Sequence, residues 1–155
     1  MGRARWAMVV ALVLACTPSP GEGQGRRTTL AEFKQLQWIA GTWRGSGGSY
    51  PSFFEEYRVV DDSTIAMRSF KDSTLSAVGD SSRIELRGGL VYSRGEGPGS
   101  VATEVTSTRV RFMPQGRAGG GFSFERISPD EWRATLHPAA AGGKETIYQM
   151  RRIGN

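Results

Sequence analysis

Cysteine and histidine are almost absent from this chain of 155 residues, which has one of each. One cysteine cannot form an internal disulfide, and the pair cannot supply the three or four ligands of a protein zinc site. The chain has no Gly-x-Ser-x-Gly nucleophile motif and no phosphate-binding loop ending in Gly-Lys-Ser or Gly-Lys-Thr. The sequence therefore predicts no catalytic residue, no metal and no enzymatic activity.

A concentrated run of basic residues is also absent. The net charge is +5, with 20 lysines and arginines against 15 acidic residues, and the two signs alternate, as in the stretch from Arg83 to Arg87. A nucleic-acid-binding surface normally gathers its basic side chains into one stripe. We therefore expect no nucleic-acid partner.

No apolar run reaches the roughly 20 residues that a membrane-spanning helix needs. The run from Met8 to Ala15 is shorter, and it follows Arg3 and Arg5. A basic start and a short apolar run are typical of a secretory signal peptide, which predicts an exported protein.

The end of this run, Val13-Leu14-Ala15-Cys16, resembles a lipobox, the bacterial lipoprotein signal in which the cysteine receives a diacylglycerol. The resemblance implies cleavage after Ala15 and a membrane anchor at Cys16. Because Thr17 rather than aspartate follows, it also implies sorting to the outer membrane, with the protein facing the periplasm. Ordinary signal cleavage beside an incidental cysteine is the alternative.

These signals divide the chain into three parts. Residues 1–15 form the signal peptide, and residues 16–27 form the lipidated cysteine and a flexible tether rich in proline, glycine and polar residues. Residues 28–155 form one folded domain, which is an ordinary size for a single core.

The folded part begins with a short amphipathic helix and continues with strands. Two threonines precede apolar residues at positions 30, 33, 36, 39 and 40, and Gly41 ends the segment. After Gly41 the apolar period is two, and Gly88-Gly89 separates the clearest hairpin. About eight to ten short strands predict an all-β fold. We expect a single antiparallel up-and-down barrel, because closure leaves no exposed strand edge.

Gly41-Thr42-Trp43, directly after a short helix, resembles the Gly-x-Trp opening of lipocalin and calycin barrels. The resemblance implies that Trp43 closes one end of the barrel. It also implies that an arginine of the last strand, Arg151 or Arg152, stacks on the indole ring.

A broader resemblance covers most of residues 36–153. It is to a bacterial family of unknown function with a calycin-like barrel, whose members open with Trp-Leu-Ala-Gly-x-Trp. The family's Asn-Pro-x-His-Asp-Phe-Pro segment is replaced here by residues 113–121, so no shared activity follows. The matching opening of this chain reads Trp38-Ile39-Ala40-Gly41-Thr42-Trp43.

Residues 41–51 are similar to the opening of nitrobindin-like barrels, which hold ferric haem through one histidine. The resemblance implies a haem-binding alternative with His137 as the axial ligand. His137 precedes Pro138 at the end of a predicted strand, where surface exposure is usual. Apart from this alternative, we expect no cofactor.

Glu55 and Glu56 are adjacent on a predicted strand and therefore point to opposite faces. One of them could pair with Arg68 inside the barrel, or the pair could lie on the outer surface. Our leading hypothesis is a non-enzymatic carrier of a small apolar or amphipathic molecule, with Arg68 and Arg126 orienting its polar end.

The expected ligand contacts are mainly large side chains of the predicted strands. A structural or envelope-interaction protein with a filled barrel is the remaining alternative, and a cavity below about 300 Å³ would favour it. The residues expected at the ligand are Trp43, Glu55, Tyr57, Met67, Arg68, Tyr92, Phe124, Arg126, Trp132 and Tyr148.

Overall fold

The computed structural model describes residues 24–116 and 119–154. The predicted signal peptide, Cys16 and most of the predicted tether lie outside these residues. A short helix, α1 (Leu30–Lys34), continues into a 3₁₀ helix (Gln35–Ile39). No helix in the described part of the chain is both long and apolar enough to cross a membrane.

Ten strands form one closed antiparallel barrel. Each strand pairs with the next along the chain, and β10 pairs with β1, which confirms the predicted up-and-down barrel with a preceding helix. The strands are β1 (Gly41–Gly47), β2 (Tyr50–Asp61), β3 (Thr64–Phe70), β4 (Val78–Arg87), β5 (Leu90–Arg94), β6 (Ser100–Val105), β7 (Arg109–Pro114), β8 (Phe122–Ser128), β9 (Glu131–Leu136) and β10 (Thr146–Arg152).

The helix begins at a capping box. The Thr29 hydroxyl accepts a hydrogen bond from the Glu32 backbone N–H at 3.2 Å, and the Glu32 carboxylate accepts one from the Thr29 N–H at 2.7 Å. The apolar face that follows buries Phe33, Leu36 and Ile39 against the barrel. The helical segment therefore covers the end of the barrel at which β1 begins.

The two ends of the barrel differ. We call the covered end the floor; the turns after β2, β4, β6 and β8 lie there. We call the other end the mouth, and it carries the connections after β1, β3, β5, β7 and β9. Four of those connections are longer than any turn at the floor: 71–77, 95–99, 115–121 and 137–145.

Trp43 and Arg152 close the floor. The Trp43 indole N–H donates to the Ile39 carbonyl at 2.7 Å. The Arg152 guanidinium carbon lies 4.2 Å from the centre of the Trp43 ring, and Nη1 donates to the Ala40 carbonyl at 3.0 Å. Arg151, the other arginine named from the sequence, is exposed and has no part in this closure, because adjacent strand residues point to opposite faces.

The residues before the helix complete the barrel wall. Strands β5 and β6 pair only at Tyr92–Val101 and Ser93–Ser100. Towards the floor the N-terminal segment fills the gap, since the Arg26 and Thr28 backbone N–H groups donate to the carbonyls of Ala102 and Gly89. The N-terminal segment therefore already contacts the barrel at Arg26, which lies within the predicted tether, residues 16–27.

Candidate functional site

The interior of the barrel contains a cavity of about 290 Å³ between the floor and the mouth. Its wall is mainly aromatic and aliphatic because strand residues alternate between the interior and the outer surface. Six of the ten residues predicted at the ligand line it: Glu55, Tyr57, Met67, Phe124, Trp132 and Tyr148.

Aromatic rings form the bottom of the cavity. Trp132 is buried, and its ring makes edge-to-face contacts with Trp43 at 5.9 Å, Tyr57 at 5.8 Å and Phe124 at 4.9 Å between ring centroids. Trp43 is therefore in contact with Trp132 and does not line the cavity, although the sequence analysis expected it at the ligand. Among the described residues, the Trp132 indole N–H has no hydrogen-bond partner.

Glu55 is the only carboxyl group among the residues that line the cavity. The Tyr57 hydroxyl donates a hydrogen bond to its Oε2 at 2.9 Å. Burial raises the pKa of Glu55, and this hydrogen bond opposes the rise. Burial, and then the neighbouring carboxylate, raises the pKa of Tyr57 well above its ordinary value, so the phenol keeps its proton.

Glu55 has no cationic partner in the described part of the chain. None of the lining residues is a lysine, arginine or histidine, and Glu55 forms no ion pair with any described residue. The cavity is therefore a mainly apolar chamber whose wall carries one carboxyl–phenol pair together with the hydroxyls of Ser82, Ser93 and Tyr148.

Arg68 is not in the cavity, which corrects one of the predictions. It faces Glu56 across β2 and β3, and the guanidinium Nε donates to Glu56 Oε2 at 3.2 Å. The Arg68 side chain is 43 % exposed. Because Tyr57 and Met67 occupy the inward positions of these strands, Glu56 and Arg68 must point outward.

Two further predicted contacts also lie elsewhere. Tyr92 is on the outer face of β5, where the Arg94 guanidinium carbon lies 4.8 Å from its ring centre. Arg126 is exposed near the floor, where the register of β8 shifts between Arg126 and Ser128. Since Arg68 and Arg126 are both outside the cavity, neither can orient a ligand within it.

The cavity reaches the mouth of the barrel. Leu136 lines it and is 45 % exposed. Phe53 and Tyr148 also line it, with ring centroids 5.4 Å apart, and both border a shallow depression at the mouth together with Phe70 and Lys71. A small molecule can therefore reach the interior from this end.

A hydrogen-bonded chain of three residues lies outside the barrel near the mouth. Ser123 Oγ is 3.0 Å from His137 Nε2, and His137 Nδ1 is 2.7 Å from Glu145 Oε1. Sequence reasoning missed this chain because it depends on the register of β8 and β9 and on the course of the β9–β10 connection. The spacing of the three residues carries no recognisable signal.

The order serine, histidine, acid is that of a catalytic triad, but the surroundings favour a structural role. Ser123 is only 4 % exposed, lies within a regular strand and does not line the cavity. The His137 backbone N–H also donates to the Gly121 carbonyl at 3.0 Å. These hydrogen bonds therefore join β8 to the β9–β10 connection, and the His137 N–H joins that connection to the β7–β8 connection.

This arrangement gives the haem alternative no support. Both ring nitrogens of His137 have hydrogen-bond partners, so iron coordination would have to break one of these bonds. His137 also does not line the cavity. Among the residues that the structure describes, no three histidine, cysteine, aspartate or glutamate side chains are placed to hold a metal ion.

Comparison with known protein families finds no family model that matches this chain. A search of curated proteins also finds no match. The resemblance to calycin-like barrels therefore stays a prediction, and the functional argument depends on the cavity itself.

Proposed function

We propose that this protein is a non-enzymatic binding protein whose barrel takes up a small apolar or amphipathic molecule. The observation that carries the proposal is the cavity of about 290 Å³, which has aromatic and aliphatic walls and one carboxyl–phenol pair. Pockets that bind small molecules are typically apolar with a few placed polar groups. Access from the mouth completes the requirements for a binding site.

The volume indicates a ligand of modest size. At about 290 Å³ it lies just below the range of about 300–1,000 Å³ for drug-sized ligands. It is about twice the roughly 150 Å³ of an apolar cavity that binds benzene. We therefore expect a molecule with one ring and a short chain, or a short alkyl chain.

By the criterion set from the sequence, a volume just below about 300 Å³ favours a filled barrel, whereas the Glu55 carboxyl favours the binding role. The Glu55 carboxyl accepts the hydrogen bond of the buried Tyr57 hydroxyl, but burial disfavours its charged form and raises its pKa. A neutral acceptor at this position would satisfy the same hydroxyl in a filled barrel without that cost. The carboxyl is explained if it meets a ligand.

Saturable quenching of tryptophan fluorescence by a small neutral aromatic alcohol, 2-phenylethanol, tests the proposal, because Trp132 lines the cavity. We expect Ala134→Leu, which fills the cavity, to weaken binding roughly tenfold or more, equivalent to at least about 1.4 kcal/mol. Ala66→Leu is the matched control, because Ala66 lies on the outer face of β3. No saturable binding, or equal binding by both variants, would favour the filled barrel.

We also propose that the protein acts at the cell envelope as a lipoprotein anchored through Cys16. The lipobox-like sequence from Val13 to Cys16 supports this placement. Radioactive palmitate supplied to expressing cells should label the protein, and Cys16→Ser should abolish the label. Equal labelling of both forms would contradict the anchor.

A further inference from the structure

We propose that the ligand of the cavity is an apolar amine, bound as the ammonium ion with Glu55 as its counter-ion. This inference rests on the proposed binding function and adds the chemical class of the ligand. It replaces the sequence-based expectation that arginines orient the polar end, which would have favoured an anion.

The charge of the cavity wall is the first argument. Among the residues that the structure describes, Glu55 is its only carboxyl, and no lysine, arginine or histidine lines the cavity. The adjacent Glu56, in contrast, has Arg68 as its partner on the outer surface. A carboxylate in an apolar chamber is unfavourable without an opposite charge. An ammonium group supplies that charge, whereas an anionic ligand would add a second negative charge.

The direction of the existing hydrogen bond is the second argument. The Tyr57 hydroxyl already donates its proton to Glu55 Oε2. The two oxygens that remain for a ligand, the second carboxylate oxygen and the phenol oxygen, therefore act mainly as hydrogen-bond acceptors. A ligand that meets it must supply donors, and a primary ammonium group has three.

The aromatic wall is the third argument. Tyr57 and Phe124 form an edge-to-face pair with ring centroids 6.4 Å apart, and Phe53 and Tyr148 form another nearer the mouth. Ring faces attract cations, and the attraction strengthens where water is excluded. An ammonium ion beside Glu55 is therefore favoured by the carboxylate and by the rings, while a carboxylate ligand is disfavoured by both.

Three ligands of similar size test the inference by calorimetry at neutral pH: 2-phenylethylamine as the cation, 2-phenylethanol as the neutral form and phenylacetate as the anion. A hydrogen bond between charged groups is stronger than one between neutral groups. We expect the amine to bind roughly tenfold more tightly than the alcohol. The anion should bind most weakly.

Glu55→Gln and Glu56→Gln form a matched pair of variants, because the two residues are neighbours on opposite faces of β2. The first should remove the preference for the amine and keep the binding of 2-phenylethanol. The second, on the outer surface, should keep the preference. The ranking of the three ligands by the unmodified protein tests the inference even if Glu55→Gln does not fold.

The outcomes separate the two proposals. Equal affinity for the amine and the alcohol, tightest binding of the anion, or an amine preference that survives Glu55→Gln would overturn the amine inference and leave the binding function intact. Failure of all three ligands to bind would overturn the binding function as well.

Discussion

A single step along β2 separates two glutamates with opposite surroundings. Glu56 points outward and pairs with Arg68, whereas Glu55 points into the cavity and meets only the Tyr57 hydroxyl. The free energy of an exposed ion pair is small, at most about 1 kcal/mol. The inward carboxyl has the larger effect on stability, because burial disfavours its charged form and no cation among the described residues compensates for this.

The raised pKa of Glu55 predicts a pH-dependent cost to stability. The folded protein holds the Glu55 proton more tightly than the unfolded chain, whose value is about 4.5. Stability should therefore be unaffected by this group below that pH and should fall as pH rises through the folded pKa. Glu55→Gln removes this loss.

Urea unfolding of both forms in acidic and mildly alkaline buffers measures the difference. The variant should gain stability relative to the unmodified protein as pH rises. Glu56→Gln controls for the loss of a negative charge. Parallel pH profiles for the Glu55→Gln variant and the unmodified protein would contradict the assigned surroundings of Glu55.

Arg152 predicts a second effect on stability. Arg152→Ala removes the cation–π contact with Trp43 and the hydrogen bonds to the Ala40 and Pro129 carbonyls. We expect a loss of roughly 2–3 kcal/mol in the free energy of unfolding. Arg151→Ala, one residue away and exposed, should change it by less than about 0.5 kcal/mol. Equal losses would contradict the closure of the floor by Arg152.

At the scale of elements, the hydrogen bonds of Ser123, His137 and Glu145 fasten the β9–β10 connection at the mouth to β8. Ser123 belongs to β8, and the other two residues belong to the connection between β9 and β10. A Cβ atom at Gly120 would lie 1.9 Å from the His137 carbonyl oxygen, so the two connections are also in close contact. The β9–β10 connection is thus fastened to β8 and to the β7–β8 connection by specific polar bonds.

His137→Ala should loosen the mouth while the floor stays intact. Loss of two side-chain hydrogen bonds predicts a decrease of about 1–2 kcal/mol in stability. Amide hydrogen exchange should become faster at residue 137, whose N–H donates to Gly121, and stay unchanged at Trp43 and its neighbours. Uniformly faster exchange would show that the histidine supports the whole fold instead.

The strand pattern and the helix were predictable because their signals are local. The Thr29–Glu32 capping box and the Gly88-Gly89 turn each act over a few residues. Five of the six predicted cavity residues, all except Glu55, were predictable because large apolar and aromatic side chains face inward. Arg68 was wrongly placed because alternation alone does not determine whether Glu55 or Glu56 faces inward, and Arg126 was wrongly placed because the register of β8 shifts beside it. The Ser123–His137 bond depends on long-range register, which the sequence does not reveal.

At the scale of the whole molecule, the barrel is closed at one end and open at the other. The helix, Trp43 and Arg152 seal the floor, and the N-terminal segment completes the wall beside it. The cavity lies above this seal and reaches the mouth through Phe53, Leu136 and Tyr148. Under the proposed function, a ligand would enter through the mouth and place its polar group at Glu55.

The most direct test uses the methionine methyl groups as probes of the interior. Met67 and Met150 line the cavity, whereas Met113 lies on the outer face of β7. In NMR spectra of ¹³C-methyl-methionine protein titrated with 2-phenylethylamine, we predict saturable shifts of the Met67 and Met150 signals, with the Met113 signal unchanged. Interior signals that stay fixed at saturating ligand, or shifts confined to Met113, would contradict a ligand-binding barrel.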